Sequence, residues 1–468
     1  MLPLCKERLY MIKRMLKQVE QMVNGTELAE QYEGITIQGV SIDTRKIEKG
    51  NLYVPIQGER FDGHAFVDKA VENGAVATLW MKDVANPPEN LPVIFVEDTL
   101  SALQMLAKNY RDQLDVKVVG VTGSNGKTST KDIVTSLLAT KFKVQKTEGN
   151  FNNHIGLPLT ILNLEENTEV AVLEMGMSSR GEIEFLSKLA RPNAAIITNI
   201  GEAHLMDLGS REAIAEAKLE IVTGLQEGGV FVYNGDEPLL TNRVPGMNLA
   251  AETVTFGDAR ANDYYPTTVT LQATGTHFKM NRDENISFYL PVLGKHNVYN
   301  TLASMAIAKH FGVTWEEMKE GLVTLQMTGM RMEIVKTNSG LTIINDAYNA
   351  SPTAMEAAFH LMNGLDGFAK KIVVLGDMLE LGDQEVQFHY EVGKLIDPAK
   401  ISHVFTYGRL GAQIAEGAKI NFPNERVKAY DNKEELVKDL QAVVDVKDVV
   451  LIKASRGMKL EEVITMLK

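Results

Sequence analysis

Hydrophobic residues change their spacing along the chain, and these changes divide it into three sections. In residues 1–114, an amphipathic opening helix is followed by short strand-like apolar runs and one further helical stretch. In residues 115–332, near-continuous apolar strands alternate with helices, which is typical of a parallel sheet covered on both faces. The same alternation returns in residues 333–468. The pattern therefore predicts an α/β protein with a small N-terminal domain, a central parallel-sheet domain and a C-terminal Rossmann-like domain.

Two stretches refine this prediction. Residues 250–295 are richer in threonine, tyrosine and strict alternation than their surroundings, which predicts an antiparallel excursion from the central sheet. The third section contains no G-x-G-x-x-G fingerprint, so we assign it no dinucleotide.

Composition narrows the class of protein. The chain has 468 residues, 44% of them hydrophobic and 23% charged, as is ordinary for a globular enzyme, and no apolar run approaches the roughly 20 residues of a membrane span. The first residues mix charges with apolar side chains, so we predict no signal peptide, and Met11 offers an alternative start to Met1. Cys5 is the single cysteine, which fits a reducing cytoplasm. A net charge of −13 argues against a nucleic-acid binder, but not against small anionic substrates in a locally basic cleft.

The segment VVGVTGSNGKTST, residues 118–130, predicts a phosphate-binding loop between a strand and a helix that starts near Thr128. Its spacing is short, because only two residues separate Gly123 from Gly126, where the common P-loop has four. The glycines would let backbone amides approach phosphates, Lys127 would reach the β and γ oxygens, and Thr128 would place a hydroxyl on Mg²⁺. A plain strand-to-helix turn with a capping threonine is the alternative, but the flanking strand and helix favour a nucleotide site.

Two further strands end in residues that suit a metal site. Glu174 closes the strand EVAVLE, and His204 follows the strand NAAIITNIG. Each residue alone would be structural, but the carboxyl ends of parallel strands meet at one edge of a sheet, where ligands collect. Thr128, Glu174 and His204 are therefore expected to lie close together. Lys218, 14 residues after His204, is by itself only a surface lysine of an amphipathic helix.

With these residues in place, the chain resembles the Mur ligases, the ATP-dependent amide-forming enzymes of peptidoglycan synthesis. The shortened loop is the form that this family shares with the folylpolyglutamate synthetases, which would not be expected to have this N-terminal section. Within the family, NFNNHIGLP, DAYNASP and LGDMLELGD resemble the branch that adds D-alanyl-D-alanine to a UDP-linked muramoyl tripeptide. The resemblance covers nearly the whole chain. Its other motifs are SIDTRKIEKGNLYVPIQGERFDGHAF, LEMGMSSRGEI, TNIGEAHLMDLGS, EAKLEI, GKHNVYNTLAS, MRMEI and KASRGMKLE.

The resemblance implies a role for each matching residue around ATP. Thr128 and Glu174 would hold one Mg²⁺ and His204 a second, while Lys218 corresponds to a carbamylated lysine, a carboxylate-like metal ligand. Lys127, Glu174, His204 and Lys218 would form the catalytic set. The implied ATP contacts are Gly123, Ser124, Asn125, Gly126, Lys127, Thr128, Ser129, Asn297, Asn300, Arg331 and Asp346.

The resemblance also implies three substrate regions. The UDP-sugar residues would be Ser41, Asp43, Arg45, Arg60, Asp62, Gly63 and His64. The muramoyl-peptide path would be lined by Asn150, Asn152, Asn153, Ser178 and Arg180. The dipeptide would meet Tyr348, Asn349 and the turn LGDMLELGD, whose residues 377–383 are the candidate source of a base.

Two positions depart from the family pattern. Thr44 stands in SIDTR where serine is common and keeps a hydroxyl. Ala454 replaces the usual glycine in KASRGM, which puts the backbone geometry beside Ser455 and Arg456 in question.

The implied activity is ATP-dependent amide-bond formation through an acyl phosphate, with ADP as product, in the cytoplasm, by a chain in which nothing demands more than a monomer. We expect a hinge near residues 330–335 that closes the third domain over ATP. The alternatives are a sister ligase that adds one amino acid, a P-loop switch that uses ATP to drive conformation, and a kinase. A switch would leave Lys218 and the N-terminal motifs without a role. The sequence leaves open whether the tripeptide contains lysine or diaminopimelate.

Overall fold

Three α/β units follow one another in the computed structural model, which describes residues 11–58, 61–272 and 274–468. This confirms the predicted fold class. No helix within the described ranges is both long and apolar enough to cross a membrane.

The first unit is built on a four-stranded parallel sheet, in the order β3-β4-β5-β6, beside an antiparallel pair, β1-β2. Its elements are β1 (Lys13–Met15), α1 (Leu16–Met22), β2 (Thr36–Gln38), β3 (Val40–Ser41), β4 (Leu52–Tyr53), α2 (Val67–Glu72), β5 (Ala77–Met81), β6 (Val93–Val96) and α3 (Thr99–Gln113).

The opening helix is shorter than its amphipathic pattern predicts. Residues 13–15 are extended and pair with residues 36–38, so the described helix begins only at Leu16. From there Leu16 and Val19 turn one face into the core, where both are fully buried. A pairing partner about 20 residues away thus overrides the local helical pattern in residues 13–15.

The central unit contains a six-stranded, all-parallel sheet in the order β12-β11-β10-β7-β9-β8. Its elements up to the edge strand are β7 (Lys117–Thr122), α4 (Lys127–Leu138), β8 (Val144–Lys146), α5 (Gly156–Leu162), β9 (Val170–Glu174), α6 (Glu182–Ala190), β10 (Ala194–Ile197), α7 (Leu205–Leu208), α8 (Arg211–Leu219), β11 (Val230–Asn234), α9 (Pro238–Thr241) and β12 (Glu252–Phe256).

The predicted antiparallel excursion is confirmed within residues 266–290. Three strands form a separate sheet, in the order β13-β14-β15, and two helices follow before the third unit. These elements are β13 (Pro266–Gln272), β14 (Gly275–Met280), β15 (Asp283–Leu290), α10 (Lys295–His310) and α11 (Trp315–Val323).

Strand β7 is buried on both faces, which explains its unbroken apolar run. Val119 and Val121 pack into one hydrophobic cluster with Ile133 of α4, whereas Val118 packs into another with Leu103 of α3. The first cluster continues into the third unit and the second into the first unit. The central sheet therefore holds the other two units on its opposite faces.

The third unit is a six-stranded sheet in the order β16-β17-β21-β18-β19-β20, parallel except for its first strand. Its elements are β16 (Glu333–Lys336), β17 (Thr342–Asp346), α12 (Pro352–Gly364), β18 (Lys371–Gly376), α13 (Glu385–Lys394), β19 (His403–Tyr407), α14 (Gly411–Ala418), β20 (Val427–Tyr430), α15 (Lys433–Gln441), β21 (Val449–Lys453) and α16 (Glu461–Leu467).

Candidate active site

The candidate site lies at the carboxyl edge of the central sheet. Strand β7 is flanked by β9 and β10, so the three strand ends that the sequence singled out are direct neighbours. Each strand runs parallel to β7, so the phosphate loop, Glu174 and the segment leading to His204 leave the sheet at the same edge.

The phosphate loop needs glycine at both of its glycine positions. Gly123 and Gly126 have φ values of +148° and +81°, in the region that side chains rarely adopt. A Cβ atom on Gly123 would lie 1.8 Å from the hydroxyl oxygen of Thr198, and one on Gly126 would lie 2.9 Å from Oδ1 of Asn300. Helix α4 begins directly after the loop, so its free amide groups and positive end face the loop.

Lys127 folds its amine back across the loop. Nζ donates to the carbonyl oxygens of Gly123 at 2.6 Å and Ser124 at 3.4 Å. Burial lowers the pKa of the Lys127 amine, Glu174 opposes this shift, and Arg331 adds to it. The amine is therefore positioned in the loop itself, where the phosphate oxygens of a nucleotide would compete for it.

Thr128 and Glu174 are in direct contact, as their strand positions predict. The threonine hydroxyl donates to Oε2 of Glu174 at 2.9 Å, and both residues are buried. The other carboxylate oxygen accepts from Nδ2 of Asn152 at 2.8 Å. Asn152, predicted to line the muramoyl-peptide path, thus contacts the carboxylate itself. Hydroxyl and carboxylate oxygens are ligands that Mg²⁺ prefers.

His204 lies on the same side of the sheet with one ring nitrogen unsatisfied. Its backbone is left-handed, with φ of +64°, and its Nδ1 has no hydrogen-bond partner. The nearest carboxylate oxygen to Nδ1 is that of Glu380, at 3.3 Å, with Asp207 at 3.7 Å. Burial lowers the pKa of His204, and the charges of Lys127 and Lys218 lower it further, against Glu380 and Asp207.

Lys218 is a buried lysine rather than the surface lysine that its helix alone suggests. It lies on α8 and is only 1% exposed, and no described residue forms a hydrogen bond or ion pair with its amine. Burial lowers the pKa of the amine well below its usual value, and the charge of Lys127 lowers it further. Among the described residues no three histidine, cysteine, aspartate or glutamate side chains converge as metal ligands.

A cleft beside the loop brings together the four predicted ATP residues outside the loop and its helix. Asn297 and Asn300 enter it from the start of α10, Arg331 from the segment that precedes β16, and Asp346 from the third unit. The Arg331 guanidinium stacks on the ring of Tyr348 at 4.2 Å, while its Nε has no hydrogen-bond partner. The cleft is thus lined by amides and a partly unsatisfied guanidinium, which suits a polar anionic ligand.

Lys453 and His296 are among the residues of this cleft that sequence reasoning missed. Lys453 forms an ion pair with Asp346 and donates to the carbonyl oxygen of Asn349 at 3.0 Å. His296 also lines the cleft, and burial lowers its pKa to about 4. Both residues stand inside motifs that the resemblance had singled out, GKHNVYN and KASRGM, so their motif membership was the available signal.

The third unit lies directly against the phosphate loop. Nδ2 of Asn125 donates to the hydroxyl of Ser351 at 3.2 Å, and Thr353 donates to Glu202. Together with the approach of Glu380 to His204, these contacts close the cleft from the C-terminal side.

The N-terminal unit contributes a separate cavity of about 440 Å³. Ser41, Asp43 and Phe151 line it, and the amine of Lys46 lies 5.4 Å from the centre of the Phe151 ring. Asp43 also forms an ion pair with Arg45 at 2.8 Å, and this hydrogen-bonded guanidinium lowers the pKa of the Asp43 carboxyl.

Other predicted substrate residues are held by local contacts. Asp62 binds the ring of His64 at 2.6 Å and accepts from its backbone, which orders the turn at Gly63. Arg60 lies outside the described residues. Asn153 accepts from the backbone amide of Gly156, whereas Arg180 forms an ion pair with Glu216 at 2.6 Å. The exposed residues of this path are Asn150, Asn153, Ser178 and Arg180.

In the turn LGDMLELGD, one carboxylate stabilises the fold and another faces the candidate site. Asp377 is buried and accepts from the amide of Gly411 at 2.7 Å, so it stabilises the fold. Glu380 instead adopts a left-handed φ of +67° and faces His204. Ala454 is not among the left-handed residues, so alanine fits there without strain. The neighbouring Ser455 accepts from the amide of Leu379 at 3.0 Å.

Comparison with known proteins agrees with this geometry. Residues 36–111 match the Mur ligase family catalytic domain, residues 121–308 the Mur ligase middle domain, and residues 330–456 the Mur ligase glutamate ligase domain. The chain is 56% identical over 454 residues to the UDP-N-acetylmuramoyl-tripeptide–D-alanyl-D-alanine ligase of Bacillus subtilis, covering 97% of this chain and 98% of that protein.

Solved structures give the same result. A crystal structure of MurF from Acinetobacter baumannii superposes with a TM-score of 0.87 at 29% identity, covering 98% of this chain and 99% of the other. MurF ligase from Thermotoga maritima in complex with ADP superposes with a TM-score of 0.81 at 32% identity, covering 92% and 96%.

Proposed function

The chain belongs to the Mur ligase family, and we infer that it joins D-alanyl-D-alanine to UDP-N-acetylmuramoyl-tripeptide in an ATP-dependent, ADP-forming reaction of peptidoglycan synthesis. Similarity over the whole length of the Bacillus subtilis ligase supports this inference most strongly. The shortened phosphate loop and the cleft beside it supply the ATP site that such a ligase requires.

Amide formation in water needs an activated carboxyl group. We propose that the terminal carboxylate of the tripeptide attacks the γ-phosphorus of ATP, so that ADP leaves and an acyl phosphate forms. The amine of the dipeptide then attacks the acyl carbon, the carbon–oxygen bond to phosphate breaks, and the amine loses its proton. The phosphoryl transfer depends mainly on positioning and on neutralising negative charge.

The chain's own residues supply much of that neutralisation. The amides at the start of α4 and the amine of Lys127 surround the place of the β and γ phosphates. Arg331 approaches from the segment that leads into the third unit, and its unpaired Nε is ready to donate to a phosphate oxygen. Asn152 fixes the Glu174 carboxylate from one side, so its orientation is set before substrate binds.

The donors at the sheet edge fit two Mg²⁺ ions. Thr128 and Glu174 offer oxygen ligands to one ion, and the unsatisfied Nδ1 of His204 suits a second. Bound there, Mg²⁺ would offset the charge of the phosphates as a Lewis acid.

Lys218 fits a carbamate because its amine is buried, unpaired and of lowered pKa. A neutral amine can add to CO₂ through a new nitrogen–carbon bond and release one proton, which converts the neutral amine into an anionic oxygen ligand. This conversion would replace the unpaired buried amine and complete the ligand set beside His204.

The three units divide the work. We propose that residues 1–114 hold the UDP-linked substrate at the cavity beside Ser41 and Asp43, that residues 115–332 bind ATP, and that residues 333–468 deliver the dipeptide. The third unit, in contact with the loop, would keep water from the acyl phosphate. The nucleotide-linked substrates and the single cysteine, which fits a reducing compartment, support a cytoplasmic location. We propose that the chain acts there as a monomer.

The decisive test compares the release of ADP and phosphate from ATP between different pairs of substrates. We expect release with UDP-muramoyl-tripeptide and D-alanyl-D-alanine, and none with the dipeptide-stage precursor and lysine or diaminopimelate. Turnover of the second pair would identify a sister ligase instead. ATP hydrolysis that is unchanged without either acceptor would identify a switch, and a phosphorylated product that accumulates would identify a kinase. Tripeptides containing lysine or diaminopimelate, assayed side by side, would identify the third residue.

A further inference from the structure

The segment that joins the central unit to the third unit is fixed at both ends by carboxylates. We name residues 328–332 the linker segment. At its start, the backbone amide of Thr328 donates to Oδ2 of Asp132 at 2.7 Å. At its end, the backbone amide of Met332 donates to Oδ1 of Asp346 at 3.2 Å. Arg331, which faces the ATP cleft, lies between these two anchors.

Asp132 has no evident role in the reaction, yet it is a fully buried charge. It lies on α4, two turns of helix beyond the phosphate loop, and its other oxygen accepts from Nζ of Lys146 at 2.6 Å. The amine of Lys131 lies 3.7 Å away. A buried carboxylate is costly unless its lone pairs are satisfied, and here two separate donors satisfy the two oxygens.

One ion pair, between Asp132 and Lys131, and a series of hydrogen bonds connect this carboxylate to the candidate metal site. Lys131 donates to the backbone carbonyl of Thr147 at 2.8 Å. The hydroxyl of Thr147 accepts from the backbone amide of Glu174 at 3.0 Å, and Glu174 binds Thr128. The linker segment, α4 and the end of β9 are therefore held in one polar network.

The linker segment is also strained. Met330 and Met332 have left-handed φ values of +61° and +51°, which cost free energy for any residue other than glycine. Such strain persists only where surrounding contacts enforce it. Here the two carboxylate anchors hold the ends of the linker segment, and the amide of Met330 itself donates to Oε2 of Glu333 at 2.9 Å. The two left-handed residues bracket Arg331, whose guanidinium stacks on Tyr348.

We propose that Asp132 is a positioning residue that locks the linker segment to the phosphate-loop helix and thereby places Arg331 against bound nucleotide. In this arrangement, Asp132 keeps the first residue of the linker segment in place. The proposal rests on the proposed function only in requiring that the cleft binds ATP.

The test compares Asp132→Asn with Lys146→Gln. Both variants lose the ion pair between residues 132 and 146. Asparagine has only one acceptor oxygen. The charged amine of Lys146 competes for it better than the backbone amide of Thr328, so Thr328 loses its anchor. Lys146→Gln leaves both carboxylate oxygens, so that anchor remains. Calorimetric titration with a non-hydrolysable ATP analogue and, separately, with UDP-muramoyl-tripeptide gives two dissociation constants for each variant.

We expect Asp132→Asn to weaken analogue binding about tenfold, which is about 1.4 kcal/mol, and to change binding of the UDP substrate less than twofold. Lys146→Gln should change both less than twofold. If Asp132 were merely structural, Asp132→Asn would lower the fraction of protein that binds ligand. It would not weaken binding of the ATP analogue more than binding of the UDP substrate. Equal analogue affinity in the two variants would overturn the proposal, whereas a wild-type chain that binds no analogue would overturn the ATP assignment instead.

A second pair of variants tests the linker segment without touching Asp132. Met330→Gly keeps the left-handed backbone at no steric cost, whereas Met330→Ile puts a β-branched side chain there. We expect Met330→Gly to bind the analogue within twofold of wild type and Met330→Ile to bind it several-fold more weakly. Equal affinity of these two variants would show that the left-handed geometry does not position Arg331.

Discussion

Replacing Gly126 by alanine is expected to damage the phosphate loop in two ways that can be separated. The first is backbone strain, because alanine at a φ of +81° costs about 1–2 kcal/mol. The second is a clash, because the new Cβ would lie 2.9 Å from Oδ1 and 3.0 Å from Nδ2 of Asn300, where overpacking costs about 1–3 kcal/mol. Asn300 cannot easily move, since it is buried and its backbone lies within α10. The sum is about 2–5 kcal/mol of lost stability.

Gly228 provides the matched control. Its φ of +73° is similar, but no atom lies within 4 Å of the Cβ that alanine would add. Gly228→Ala should therefore cost only the strain, about 1–2 kcal/mol. Urea unfolding monitored by fluorescence and circular dichroism measures both variants, and titration with an ATP analogue measures the loop. We expect Gly126→Ala to be the less stable variant and to lose analogue affinity, and Gly228→Ala to keep it. Equal stability and unchanged affinity would refute the argument that Asn300 closes the loop against a side chain.

Three further predictions concern buried ionisable groups. Lys218→Ala should abolish ligation, and high bicarbonate or chloride with short carboxylic acids should partly restore it. Near-normal turnover in the variant would contradict the proposal that Lys218 acts as a carbamate. Lys453→Met should lower the free energy of unfolding by about 3–5 kcal/mol, because it leaves the side chain of Asp346, which is only 13% exposed, without its cation. A melting curve like that of the wild type would show that stability does not depend on this ion pair. Burial lowers the pKa of His296 to about 4, so below pH 6.5 the unfolded chain binds a proton that the folded chain does not. The wild type should therefore lose up to about 3 kcal/mol of stability relative to His296→Gln as pH falls from 6.5 to 4, and parallel stability curves would contradict the pKa shift.

The strands around the candidate site were predictable because burial on both faces leaves a strong signal. Strand β7 packs Val118 and Val119 into different hydrophobic clusters, so its apolar run cannot be mistaken for a surface strand. The place of Glu174 beside Thr128 followed from the same fact, since adjacent parallel strands end at one edge.

What the sequence could not predict depends on contacts between distant segments. Strand β1 forms only because residues 36–38 pair with it, and its local pattern reads as helix. The burial of Lys218 depends on what covers α8, so composition favoured a surface lysine. Lys453 meets Asp346 because β21 and β17 are neighbours, although 107 residues separate them. Local periodicity contains no information on such partners. The motifs EAKLEI and KASRGM, which carry the family resemblance, nevertheless include Lys218 and Lys453.

The distribution of paired and unpaired charge at the site explains how an acidic protein can bind a highly anionic nucleotide. Around the cleft the carboxylates already have partners: Glu174 accepts from Thr128 and Asn152, and Asp346 pairs with Lys453. The groups with unused capacity beside the loop include donors, namely Nε of Arg331 and the amides at the start of α4. A buried donor without a partner is costly, so an anion that satisfies it is bound with less competition from water. The net charge of −13 acts mainly at the exposed surface, where salt screens it beyond about 8–10 Å. Local pairing rather than net charge therefore sets the sign of the ligand that this cleft selects.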